Sequence, residues 1–360
     1  MQQQPWIGKP MIDIVFILLP PFVSLAIIAL FPQLFHHPLS MSDASWVILV
    51  LLIDVAHVYS TLYRTYFDPK AMQQQRGLML AIPFIGFIGG VLAYSVSPVF
   101  FWRLLAYTAV FHFVRQQYGF MRVYSRKEKM NRAMQWIDKV TIYYATIYPL
   151  LFWHLKGPRN FNWFVENDFL YYQWPGLLNI FTVLYFLVIL IFVVKELVSW
   201  VKCRYINIPK LAVIAGTLLS WYFGIVYYNG DLAFTLMNVV GHGIPYMALV
   251  WIYGQKSYTA PGKGTRFLKA VFSKYGVLLF LGIIFLLAFL EEGVWDIAVW
   301  KEHGSIFGTA GIELPAFNQV VLSFLVPLLA LPQITHYILD GFIWKIRHDE
   351  FKWNSEIKTP

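Results

Sequence analysis

The stretch LLIDVAHVYSTLYRTYFD, Leu51 to Asp68, begins as a run suited to oil and then sets Asp54, His57 and Arg64 on one side of a helix. Offsets of three and seven residues return to the same helix face. An acid, an imidazole and a guanidinium inside a bilayer are costly, and such residues mark function or pair with one another. The reading therefore turns on whether these residues lie in a bilayer.

Composition answers that they do. Of 360 residues, 58% are hydrophobic and only 13% charged, too few charges to cover a soluble protein of this size. Aromatics make up 19%, including 14 Trp and 22 Tyr, as aromatic belts at two membrane interfaces require. The single cysteine, Cys203, excludes a disulfide framework within the chain. The first apolar run, Met11 to Phe35, is too long for a signal-peptide core and no small-residue cleavage site follows it. It is read as a retained span.

The chain is thus expected to be all-α, one polytopic transmembrane domain of about ten helices. The spans are read at about 11–35, 43–67, 78–97, 98–123, 137–155, 176–201, 208–229, 231–254, 270–290 and 316–344, with a short tail at 345–360. Pro20 and Pro21 predict a kink in the first. Connections after the even spans are basic: Lys70 and Arg76, then Arg122 to Arg132, then Lys202 to Lys210, then Lys256 to Lys269, with Lys345, Arg347, Lys352 and Lys358 in the tail. Connections after the odd spans are short, neutral or acidic, and the longest holds Glu291, Glu292, Asp296, Glu302 and Glu313. The positive-inside rule then places both termini in the cytoplasm. The location expected is an integral, multi-pass one, the plasma (inner) membrane if the chain is bacterial. The formal charge of +9 reflects this topology and anionic lipid heads, not a nucleic-acid partner, because the basic residues are spread over several loops. The outward loops at about 156–175 and 291–315 are rich in aromatics and are expected on the membrane surface.

Nine histidines sort sharply on this map. His36, His37, His154, His303 and His348 fall in or beside loops and the tail, where solvated or interfacial side chains are ordinary. His57, His112, His242 and His336 fall inside spans two, four, eight and ten, which all run from outside to inside. Counted from the basic residue ending each span, they lie roughly 10 to 21 Å below the inner interface. Each has polar neighbours at helical spacing: Asp54 before His57, Arg115 and Gln116 after His112, Asn238 and Tyr246 flanking His242, and Asp340 after His336. His242 lies in GHGIP, Gly241 to Pro245, where a kink and close backbone approach are expected. A carboxylate or amide beside a ligand histidine fixes its tautomer, so Asp54 and Asp340 are expected to orient His57 and His336. Arg64 is expected as an inner-leaflet anchor or substrate contact.

One intramembrane histidine is more often a helix-to-helix hydrogen bond than a ligand, a bond worth about 0.6 kcal/mol on average. Four at compatible depth, on parallel helices and each with a polar partner, shift the balance towards a metal site. Neutral imidazoles suit iron, copper or zinc. Non-haem iron acting with O₂ on a lipophilic substrate, such as an isoprenoid, carotenoid or acyl lipid, is the first expectation. It would need an electron donor or co-substrate, and no flavin or iron–sulfur motif supplies one. Haem b held by paired histidines, making an electron carrier, is the second. A proton-coupled transporter with Asp54, His57, Arg115, His242 and Asp340 as a relay is the third. No internal repeat of the kind many transporters show is evident.

No span carries two histidines, so the clustered HxxxH and HxxHH boxes of membrane desaturases and hydroxylases are absent. The layout is similar in kind to polytopic bacterial carotenoid-cleaving oxygenases, which are thought to hold iron with histidines from separate helices. The likeness is one of architecture and ligand type, and it carries over no catalytic residue. No P-loop, GxGxxG, CxxC or nucleophile elbow stands at a usable place. The stretch TAPGKGTR, Thr259 to Arg266, is read as a flexible basic connector.

Overall fold

The computed structural model describes residues 4–35, 41–128, 130–260, 264–313 and 316–344. Among them the chain is all-helical, with no strand. The membrane-scale segments are α1 (Pro10–Leu18), α2 (Pro20–Leu30), α3 (Asp43–Arg64), α4 (Arg76–Val96), α5 (Pro98–Tyr124), α6 (Arg132–Lys156), α7 (Pro175–Cys203), α8 (Ile208–Tyr227), α9 (Asp231–Tyr258) and α10 (Val277–Trp300), then α11 (Gln319–Leu329) and α12 (Leu331–Ile343). Seven helices are long and apolar enough to cross a membrane, counting α11 and α12 as one. The pair α1–α2 makes an eighth if it is one span. Helices α5 and α6 have the length, 27 and 25 residues, but are not among the helices apolar enough to cross a membrane.

Local chemistry sets most of the ends. Ser42, Asn131, Asn207 and Asn318 accept backbone N–H bonds at the starts of α3, α6, α8 and α11. Pro98 and Pro175 occupy the first turns of α5 and α7, where a missing N–H costs nothing. The kink expected at Pro20 and Pro21 is a 51° bend between α1 and α2.

Helix α9 is the axis of the bundle: 83% of its apolar window is buried, against 17% for α7. It packs on α1, α2, α3 and α8, while α12 packs on α3, α4 and α5. The four helices that carry the intramembrane histidines, α3, α5, α9 and α12, therefore share one interior. Helix α7 leans on α6 and exposes an apolar surface suited to lipid.

One expectation is corrected. Helix α10 does not end before the acidic residues but runs through Glu291, Glu292 and Asp296 to Trp300. All three carboxylates are buried. Two of these acids, expected at the membrane edge, are held by partners inside the protein: Glu291 accepts from Trp295 at 3.2 Å and from Gln333 at 2.7 Å. Asp296 accepts the backbone N–H groups of Glu302 and His303, at 2.8 and 2.7 Å. The loop between α6 and α7 is anchored to the bundle on one side, while Leu170, Tyr172 and Trp174 stay exposed. Phe161 and Phe169 are buried with Trp153, Trp221 and Phe234, and Arg159 donates to the carbonyls of Ile225 and Tyr228. Asp168, buried in this loop, accepts from the N–H groups of Phe164 and Val165. Desolvation raises its pKa despite those bonds.

A buried ion network pins the far side of the molecule. Lys210 on α8 reaches Glu128 at 3.1 Å, Glu196 at 2.7 Å and Asp138 at 3.5 Å. Lys195 on α7 pairs with Asp138 and Glu196. It joins α6, α7 and α8 where dispersion alone would leave α7 loosely held.

Candidate metal centre

The four intramembrane histidines meet. His57 of α3, His112 of α5, His242 of α9 and His336 of α12 are each at most 2% exposed. One ring nitrogen from each lies within 4.8 Å of the others. Their rings close a circuit: His57 to His242 at 4.8 Å, His242 to His112 at 5.0 Å, His112 to His336 at 4.4 Å and His336 to His57 at 5.0 Å between centroids.

Close backbone approach makes this circuit possible. A Cβ on Gly243 would stand 2.9 Å from Ile53 Cγ2, 3.0 Å from the Ile53 carbonyl oxygen and 3.4 Å from His57 Nδ1. Only glycine lets α9 come this near α3, and that contact brings His57 against His242. Pro245, two residues on, has no N–H for the carbonyl four residues back. The freed Gly241 carbonyl is met from α5 by Gln117 at 3.4 Å, and Gln116 donates to the neighbouring His242 carbonyl at 2.9 Å. The expected kink motif is thus a stitch between α9 and α5, and α9 continues through it.

The nitrogens divide into a back and a front. His57 Nδ1 lies 3.3 Å from the Ile53 carbonyl and 3.7 Å from Asp54 Oδ1. His112 Nδ1 lies 3.4 Å from Asp340 Oδ2. His336 Nδ1 lies 2.6 Å from the hydroxyl of Thr61. His242 is held by its face instead, stacked on Phe113 at 3.5 Å and 9°. In front, His112 Nε2 and His242 Nε2 face each other at 3.2 Å. The Nε2 atoms of His57 and His336 are buried and have no hydrogen-bond partner.

Buried polar atoms are normally satisfied, so two orphaned Nε2 atoms beside two more that face each other require an account. A transition metal fits. Metal–imidazole bonds of about 2.0–2.1 Å bring neighbouring ligand nitrogens to separations of this order. Carbonyl, carboxylate and hydroxyl partners on Nδ1 leave the Nε2 lone pairs pointing inward, the usual arrangement behind a ligand histidine. Two nearby carboxylates, Asp54 and Asp340, match the charge of a divalent ion in a medium where an unbalanced charge is expensive.

Several sequence pairings are redrawn. Asp340 backs His112, not His336 on its own helix. Gln116 does not reach His112 but donates to the carbonyl of His242. Asn238 bonds the Phe234 carbonyl, not the His242 ring. Arg115 turns out of the site and donates to Tyr143 at 2.7 Å. Arg64 lies in the bundle, stacked 3.7 Å over Tyr253 and bonded to the Ile343 carbonyl. Tyr246 sits at the circuit's edge, 5.0 Å from the His336 ring, and its hydroxyl meets Thr61 at 3.0 Å. Thr61 and Phe113 were missed. Thr61 stands one turn beyond His57, so its face was readable, but its partner on α12 was not.

The other histidines stand apart from this centre. His154 joins Tyr107 at 2.7 Å and the Leu150 carbonyl at 2.6 Å, so it is a packing residue and not a solvated one. His303 stacks on Trp46 at 3.9 Å. His36, His37 and His348 lie outside the described residues, as does part of the TAPGKGTR connector. No family model, no curated protein and no solved structure matches the chain.

Proposed function

We propose that this is a membrane metalloprotein in which His57, His112, His242 and His336 hold one transition-metal ion, non-haem iron, for oxidation of a lipophilic substrate. The observation that carries the reading is the meeting of four imidazoles from four helices, two with orphaned Nε2 atoms. Iron in such a site would supply redox chemistry with O₂. The chain's own residues supply the rest. Asp54, Asp340 and Thr61 fix the rings, Phe113 holds the His242 plane, and the apolar bundle excludes bulk water. An isoprenoid, carotenoid or acyl lipid suits a site reached through lipid. An electron donor or co-substrate at the cytoplasmic face belongs to the same proposal.

The ring contacts favour a single ion over haem b, the second reading. A porphyrin needs its axial histidines on opposite faces of a wide plane, whereas all four rings here touch. A proton-coupled transporter is the third reading, but Arg115, one member of its relay, is turned away. We also propose ten spans with both termini cytoplasmic. The pair α1–α2 then crosses once, and α5 and α6 cross as well, their polar residues facing the interior. If the chain is bacterial, its membrane is the plasma membrane.

The test is elemental analysis of anaerobically purified protein with an optical spectrum alongside. About one iron per chain and no Soret band is expected, given four imidazole ligands. Each of the four His→Ala variants should lose most of the metal, while His154→Ala should keep it. A Soret band, or metal content unchanged in all four variants, overturns the reading.

A further inference from the structure

Among the described residues, three aromatic side chains lie against the histidine circuit, and they do not meet it in the same way. Phe113 reaches two of the rings, His242 at 3.5 Å and His112 at 6.0 Å between centroids. Tyr337 also reaches two, His112 at 5.3 Å and His336 at 5.7 Å. Tyr246 reaches three: His336 at 5.0 Å, His57 at 5.9 Å and His112 at 6.5 Å. A neighbour set outside one side of the circuit approaches the two rings that form that side. A ring beyond the His57–His336 side would be far from His112, which stands across the circuit. Tyr246 therefore lies over the circuit, above the rim where His336 stands. Its plane is turned 85°, 77° and 72° from those of His336, His57 and His112, so it stacks on none of them and lies across all three.

This ring is locked at its far end. Tyr246 is 1% exposed, and a phenol so deep needs a partner for its hydroxyl. It has two: Thr61 Oγ1 at 3.0 Å, and the Trp344 indole N–H, which donates at 3.4 Å. Thr61 Oγ1 is itself 2.6 Å from His336 Nδ1, the nitrogen behind that ring. The phenol oxygen is thus carried to the back of His336, and the circuit meets the apolar ring. Order along α3 gives the direction. Asp54, His57 and Thr61 follow one another at about one turn each. Tyr246 stands on the Thr61 side of His57. Asp54 stands on the other side, its Oδ1 3.7 Å from His57 Nδ1 and its side chain 37% exposed.

We propose that Tyr246 is a fixed lid over one face of the histidine circuit, so that an ion held there is open to a small ligand on the Asp54 face alone; this rests on the metal-centre reading. Four imidazoles set in a circuit leave room for a further ligand above and below them. With metal–ligand bonds of about 2.0–2.1 Å, such a ligand needs space close to the ion. The Tyr246 ring fills that space on its own side. It is packed among the buried residues Val55, Ala56 and Val250, and a close-packed interior gives it nowhere to swing. The position that remains is one that a diatomic gas or a small anion can take. The Tyr246 hydroxyl is not a ligand but the pin that keeps the ring in place.

The test is azide titration of the full-length protein loaded with cobalt(II), followed in the visible bands of the ion, which change with its number of ligands. Wild type and Tyr246→Phe should each take about one azide per ion, and Tyr246→Ala about two, because removing the ring opens the second face of a site with four protein ligands. Where Tyr246→Ala does not fold, Tyr246→Leu, which also lacks the flat ring, takes its place. No azide or about two in wild type, or about one in every variant, overturns the proposal. So does a phenolate-to-iron charge-transfer band in the ferric wild type that Tyr246→Phe removes, since Tyr246 would then be a ligand. In each of these cases the bound metal leaves the metal-centre reading standing. Wild-type protein that binds no stoichiometric cobalt or iron removes that reading, and the lid with it.

Discussion

Thr61 shows how a small side chain can govern a centre it does not enter. Its hydroxyl stands 2.6 Å from His336 Nδ1 and 3.0 Å from the Tyr246 hydroxyl, which in turn receives the Trp344 indole at 3.4 Å. The chain of bonds fixes which way the His336 ring faces. Thr61→Val keeps the shape and removes the hydroxyl. It should weaken metal binding by roughly 10- to 100-fold, the usual effect of losing a partner behind a ligand, while Thr61→Ser should restore it. Metal-competition titrations of the two variants check this. Asp340→Asn belongs to the same class, and its loss should be felt at His112, the ring 3.4 Å away. At this scale the sequence exposed the four histidines better than their supports. An intramembrane histidine is conspicuous in a chain with 13% charged residues. Its partner is not, because helical spacing finds neighbours on the same helix only. Asp340, Thr61 and Gln116 all act across to another helix.

Among the elements, α9 carries the tightest constraint. Gly243→Ala would put a methyl against the Ile53 backbone at 3.0 Å, which backbone cannot yield without moving α3. Overpacking of this kind costs about 1–3 kcal/mol, and here it should also open the His57–His242 contact. The expected result is a lower unfolding midpoint together with lost metal. Gly282→Ala, on α10 with nothing near its Cβ, is the neutral control. The GHGIP stretch announced a close approach from its composition alone, but its partner helix was not legible. The course of α10 was misread for a different reason. A run of acids signals a membrane edge only when water solvates it, and Glu291, Glu292 and Asp296 are buried, with Glu291 and Asp296 bonded by protein groups.

For the whole molecule, hydrophobic length and loop charge made the helical membrane architecture legible. Helices with polar faces were harder, since the partners of Arg, Gln and Asp on α5 and α6 lie on neighbours that the sequence does not show. Reporter fusions at Lys127 and Glu302 test the proposed orientation: the first should report cytoplasm and the second the outside. The opposite pair would overturn it. The ion network offers a separate check on global stability. Lys210→Met leaves Glu128, Asp138 and Glu196 with one cation fewer, and breaking a buried pair from one side typically costs about 3–5 kcal/mol. Its unfolding midpoint should fall well below wild type while any bound metal is kept, because the network joins α6, α7 and α8 and the histidines stand on α3, α5, α9 and α12.

The ligands of the histidine circuit are scattered along the chain, on α3, α5, α9 and α12. A ribosome delivers the first three well before the last. Until α12 joins the bundle, a nascent chain offers three imidazoles and an open side, a weaker trap with less power to discriminate among metals. If the circuit holds a metal as proposed, closure by His336 is both the final act of assembly and the moment of metal choice. On the proposed reading, a chain stalled before α12 should take up copper or zinc, the ions that intrinsic imidazole affinity favours, and pulse-labelled chains should acquire iron only after the last helix has inserted.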